Sequence, residues 1–185
     1  MDIGREYDSA IEIIREYYDG PIRPYMTVEF GRRKKQGAIS LIISYSREMN
    51  PRKLVDILQD KLPDQYIAFL GNDKWLGEEK NNYPEIVIAI ASSQFEAIRL
   101  AESRGVNQDV STEEVIDKLK EYDRKYRIRI LRATIEAVSF RLKTLSEDMN
   151  AHLDDQAETL KLNTYPREEI ISEISKKLID GFWWD

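Results

Sequence analysis

RIRILRATIEAVSFRL, residues 127–142, decides how the chain is read. Ile128 and Ile130, and later Val138, Phe140 and Leu142, fall on alternate positions, the period of a strand with one buried face rather than of a helix. The phase slips near Leu131 to Ala133, which predicts a bulged strand or two strands. Just upstream, DVSTEEV gives Ser111 and Glu114 the spacing of a capping box and Val110 and Val115 that of a hydrophobic staple, so a helix is expected from Thr112 to about Tyr126. Further upstream, EIVIAIA (85–91) is a nearly continuous apolar run, expected as an interior strand covered on both faces. Between them, Ser92 and Ser93 cap a helix carrying Phe95, Ile98, Leu100 and Ala101, with Gly105 as its stop.

The N-terminal part follows the same logic. Tyr7, Ala10, Ile11, Ile14 and Tyr18 form one helical stripe that ends before Gly20-Pro21. YMTVEFG (25–31) and AISLIISYS (38–46) read as a hairpin with RRKKQG as its basic tip. Asn50-Pro51 opens a helix with Leu54, Val55, Leu58 and Leu62 on one face, and YIAFL (66–70) is a short strand. Downstream of residue 142, Thr144 and Glu147 have capping-box spacing ahead of Met149, Leu153 and Leu160. Thr164-Tyr165-Pro166 opens a last helix with Ile170, Ile171, Ile174 and Leu178, which Gly181 ends.

The resulting fold class is α+β (mixed α/β): a central sheet with helices packed against it. In the terminal FWWD, Phe182 and Trp184 point to one face and Trp183 to the other, so the C-terminal residues are expected as an interior strand. The polar stretch WLGEEKNNYP (75–84) marks a boundary between an α-β-β-α-β part, 1–84, and a β-α-α-β-α-α-β part, 85–185, packed as one compact unit.

Composition narrows the chemistry. With no cysteine and one histidine in 185 residues, thiolate zinc sites, disulfides and cysteine nucleophiles are excluded and transition-metal catalysis is disfavoured. There is no GxSxG elbow, GxGxxG loop or P-loop, so no catalytic residue, cofactor or metal is assigned. The chain lacks a signal-like N-terminus and any apolar run of roughly 18 residues, and a cytoplasmic location off the membrane is expected. The net charge of -6 favours basic partners over nucleic acid.

From about Glu85 onward the chain resembles the bacterial domain-of-unknown-function family 4253. The stretches that carry the resemblance are FEAIRLAESRGVNQDVSTEEVIDKLKEYDRKYRIRIL (95–131), IEAVSF (135–140) and the terminal WWD. Members often have a Cys-Pro-Asp segment in the helical region before the last helix, where this chain has AHLDDQAE (151–158). The resemblance implies a domain boundary and no reaction.

Several groups invite a functional reading beside a plain one. In the WWD end, Trp183 and Trp184 either pack in the core with Asp185 paired to a base, or wall a pocket in which Asp185 recognises a cation or acts as a base, with Tyr122 and Tyr126 nearby. His152 shares a helical face with Asp155 or Gln156, a spacing that fits a His-carboxylate pair but is expected as a solvated helix face. Arg32 to Lys35 is expected as a solvated tip. Trp75 and Tyr83 can anchor a protein partner, and Asp154, Asp155 and Glu158 can present negative charge to it. The expected function is a non-catalytic binding protein: a bacterial immunity protein that neutralises a toxin, such as a basic toxin domain, by occluding its active surface. The alternative is a small-ligand module or enzyme with its pocket at the WWD end.

Overall fold

A computed structural model of the chain describes residues 4–29, 32–43, 50–71, 85–105, 108–160 and 167–184, with the backbone alone at 28–29 and 32–36. The chain divides into two units, Met1–Ala97 and Ile98–Asp185. Both are built from antiparallel strands and helices, an α+β fold.

In the first unit, helix α1 (Asp8–Arg15) follows a 3-10 turn and buries Ala10 and Ile14, the predicted stripe. Strands β1 (Ile22–Glu29) and β2 (Arg32–Ile42) pair down to Glu29 opposite Arg32, so Arg32 to Lys35 belong to a hairpin arm and not to a loop tip. The misreading has a local cause: the register shifts after Pro24, and Gly37, at φ 67°, lies among the extra residues on β2 and mimics a turn signal. Helix α2 (Pro51–Lys61) starts as predicted, with the Asn50 side chain accepting from the amides of Arg52 and Lys53. Strands β3 (Tyr66–Leu70) and β4 (Glu85–Ile90) complete the order β1-β2-β4-β3. Placed between two neighbours and buried from Glu85 to Ala89, β4 is the interior strand that its apolar run requires. Ile39, Leu41, Ile86 and Ile88 form one core with Leu54, Val55 and Leu58 of α2 and the buried face of α1.

Helix α3 (Glu96–Ala101) stops at Glu102, which takes φ 54°, rather than at Gly105. In the second unit, α4 (Thr112–Tyr126) carries the complete capping box: the Ser111 hydroxyl accepts from the Glu114 amide at 3.3 Å, and the Glu114 carboxylate accepts from the Ser111 amide at 2.7 Å. The sequence 127–142 resolves into both predicted features, two strands β5 (Ile128–Ala133) and β6 (Ala137–Leu142), with a register shift between Ile130 and Arg132. Thr144 and Glu147 form no cap. Helix α5 (Met149–Leu160) begins after Asp148, whose carboxylate accepts from the Ala151 amide. Its buried face is His152, Gln156 and Leu160, not the Met149–Leu153 stripe. Helix α6 (Arg167–Lys177) ends on Leu178 at φ 53°, so Gly181 is not its stop.

Gly181 instead lies inside β7 (Ile179–Trp183), opposite Ser139, where a Cβ would come within 2.4 Å of the Val138 carbonyl. β7 pairs with β6 and ends the order β5-β6-β7, which makes the C-terminal strand an edge rather than an interior strand. Two-faced aromatics misled here because only one face is covered: Phe182 and Trp184 are buried, whereas Trp183 is 46% exposed.

Candidate functional site

Alternation in β7 puts Asp180 on the covered face with Phe182 and Trp184, and α5 brings His152 and Gln156 against it. The His152 Nε2 lies 2.7 Å from Asp180 Oδ2, with the two side chains only 1% and 4% exposed. Gln156 Nε2 donates to the same oxygen at 2.5 Å and stands 2.9 Å from His152 Nε2. The other oxygen, Oδ1, accepts from the backbone amide of Gly181 at 2.8 Å. Leu142 N donates to Leu178 O and Trp184 N to Glu136 O, so even-numbered residues of β7 face β6 and the Gly181 amide points outward. Asp180 therefore closes one of the donors of an exposed sheet edge and orients α5 at the same time.

One turn away, Asp155 takes two donors from α4: the Lys118 ammonium at 2.6 Å on Oδ1 and the Tyr122 hydroxyl at 3.0 Å on Oδ2. Lys118 is 5% exposed and also meets Glu121 at 2.9 Å. Burial, and then the Asp155 carboxylate, push the Tyr122 hydroxyl far above its ordinary value. For Asp155 burial acts upward, but the donors from Lys118 and Tyr122 outweigh it and hold the carboxyl below the usual range. The Tyr122 ring is packed by Tyr126, Phe140, His152 and Phe182 at centroid distances of 4.9–6.1 Å.

The predicted residues thus separate. Asp155, Tyr122 and Tyr126 are brought together with His152, which is buried and not part of a solvated face. Trp184 is buried, donating its indole N–H to the Leu160 carbonyl at 3.1 Å. Asp154 and Glu158 lie on the opposite, exposed face of α5, with Asp154 59% exposed and ion-paired to Arg167. Trp75, Tyr83 and Asp185 lie outside the described residues. Sequence reading missed Lys118 and Asp180. Lys118 sits three residues after Val115 and four before Tyr122, on the buried stripe of α4, and Asp180 shares the alternation of Phe182 and Trp184.

Chemically, the arrangement locks positions. Each carboxylate oxygen of Asp180 and Asp155 has a donor, and the His152 ring between them packs against Tyr122 and Tyr126. Among the described residues no group of three or more His, Cys, Asp or Glu could hold a metal ion. An open depression of about 730 Å³ lies in the first unit, lined by Asp64, Gln65, Ile90, Ala91, Ser92 and Glu96, none of them from the WWD end. No helix among the described residues is long and apolar enough to cross a membrane.

The second unit is therefore a three-stranded antiparallel sheet whose covered face is tied to α5 by a buried hydrogen-bond cluster, and α5 in turn to α4 by partly buried bonds to Asp155. The chain belongs to the DUF4253 family, a domain of unknown function, which matches residues 85–185. Neither a curated protein nor a solved structure matches it.

Proposed function

We propose that this chain is a non-catalytic binding protein, an immunity protein that neutralises a toxin by covering its active surface. The observation that carries the reading is the division of α5 into two faces. His152 and Gln156 are spent on buried hydrogen bonds and Asp155 on partly buried ones to α4, while Asp154 and Glu158, one turn apart, face outward. A helix held in this way presents its outer charges with little conformational freedom to lose on binding, which favours affinity and register. The outward carboxylate of Glu158, with that of Asp154 held in its exposed ion pair to Arg167, suits a basic partner that can compete for the pair and steers its approach.

The test is co-expression of the chain with the protein encoded beside it. Protection by the parent, lost when Asp154 and Glu158 are both changed to Lys, supports the reading. A neighbour that is harmless alone, or protection that ignores both charges, sinks it.

A further inference from the structure

Alternation in β4 turns Ile86 and Ile88 into the core shared with α2, so Glu85 and Val87 belong to the opposite face of the sheet. On that face Ser40 of β2 pairs with Val87, and Arg23 of β1 pairs with Ser40. A carboxyl, a hydroxyl and a guanidinium thus meet across three strands of the first unit.

Asp180 and Asp155 show how this chain holds a carboxylate elsewhere: each oxygen takes a donor. Glu85, only 1% exposed, has both oxygens buried without a hydrogen-bond partner, and the Ser40 hydroxyl is buried in the same condition. Arg23 Nη2 stands 3.6 Å from Oε1, beyond hydrogen-bond reach, on a side chain that is 35% exposed. The other titratable neighbour among the described residues is Tyr25 of β1, whose ring carbon Cε2 lies, like Glu85 Oε2, 3.6 Å from where a Gly71 Cβ would sit. Burial outweighs Ser40 and Arg23 and holds the carboxyl above its ordinary value. The setting suits the neutral acid, which can offer its proton to the Ser40 hydroxyl, and penalises an anion that no donor meets.

Glu85 is also the first residue of its strand. Its carbonyl accepts from the Gly71 amide at 2.8 Å, one rung beyond the Leu70–Ile86 pair. Breaking that bond and the pairing with Ile42 frees the side chain while Ile86 to Ile90 stay in the sheet.

We infer that Glu85 is a proton-operated latch on the end of β4: the neutral acid rests buried beside Ser40 and keeps Gly71 bonded, and the anion turns out to water and opens that end of the β3–β4 pair. The device belongs to the first unit and does not depend on the toxin reading.

The test is hydrogen exchange of the Gly71 amide in the full chain, followed by NMR across pH, with the Glu85 carboxyl titrated through its side-chain 13C shift. In the open form the carboxyl returns to its ordinary 4.5, so each pH unit from there to the midpoint of the folded chain favours opening about tenfold. Exchange of an open amide itself speeds up about tenfold per pH unit, so Gly71 in the parent accelerates about a hundredfold per unit in this window. Glu85→Gln, a mimic of the neutral acid, accelerates only about tenfold. The Ile88 amide, in the middle of β4, exchanges more slowly than Gly71, which separates local opening from global unfolding. The inference is overturned by a carboxyl that titrates at 4.5 in the parent, by a tenfold dependence there, by the same dependence in Glu85→Gln, or by Gly71 and Ile88 exchanging at one rate. The first, second and fourth of these are read on the parent alone.

Discussion

Removing the Asp180 carboxylate tests the buried network. Asp180→Ala takes the acceptor from three donors: His152 Nε2, Gln156 Nε2 and the Gly181 amide. Part of the loss can be recovered, because Gln156 can donate to His152 Nε2 across their 2.9 Å separation. That requires the histidine proton to move to Nδ1, a buried atom with no hydrogen-bond partner, so one ring donor is orphaned in place of another. The Gly181 amide lies on the sheet edge and can turn to water. The account is then one to two buried donors without acceptors, at about 1–3 kcal/mol each, giving an expected loss of about 3 kcal/mol. Asp180→Asn keeps one carbonyl oxygen for either group of donors and is expected to lose about half as much. Urea unfolding followed by tryptophan fluorescence measures both, with an unchanged dependence on urea showing that the same surface unfolds. If both variants unfold within about 0.5 kcal/mol of the parent, the network does not hold α5 and the reasoning fails.

Other expectations follow from single contacts. Gly181→Ala forces a Cβ to within 2.4 Å of the Val138 carbonyl and should destabilise by about 2 kcal/mol, read by the same urea experiment; a neutral result would mean that β7 does not pair as described. Burial raises the Glu85 carboxyl above 4.5 despite Ser40 and Arg23, so the folded chain keeps a proton that the unfolded chain has released. Stability should therefore fall as pH rises from the unfolded value to the folded one and then level off, and Glu85→Gln should flatten that slope in pH-dependent unfolding. Asp155 has the opposite sign: its lowered value stabilises above an unfolded value near 3.8 and is lost as pH falls through the folded one, a loss that Asp155→Asn should remove.

Local chemistry was the most legible part of the sequence. Ser111 with Glu114 and Asn50 with Pro51 fix helix starts within four residues, and the structure realises both. The phase slip near Leu131 likewise marked a real register shift. Where the reading failed, a local signal lacked its setting. Thr144 and Glu147 have the right spacing, but Leu142 is still in β6 and the Thr144 hydroxyl bonds the Tyr126 carbonyl instead. Gly105 and Gly181 read as helix stops, yet Glu102 and Leu178 adopt the left-handed turns. Gly105 is confined by Trp184, whose indole would lie 2.5 Å from an added Cβ.

The site was half legible for the same reason. Helical spacing paired His152 with Gln156, four residues on, but its carboxylate partner is Asp180, 28 residues away on a different element. Nothing within one turn of His152 announces that partner, and a histidine followed by two aspartates looks like a wet surface. Only the docking of α5 on β7 turns it into a buried pair.

The measurement that bears most directly on the proposed function is titration calorimetry of the chain against the protein encoded beside it, with the parent and the Asp154→Lys, Glu158→Lys double variant compared. The parent is expected to bind tightly and saturably, and reversing both charges to weaken binding about a hundredfold, with only the small change in urea midpoint that loss of the exposed Asp154–Arg167 ion pair brings. No heat with the parent, or equal affinity for the two proteins, would contradict it.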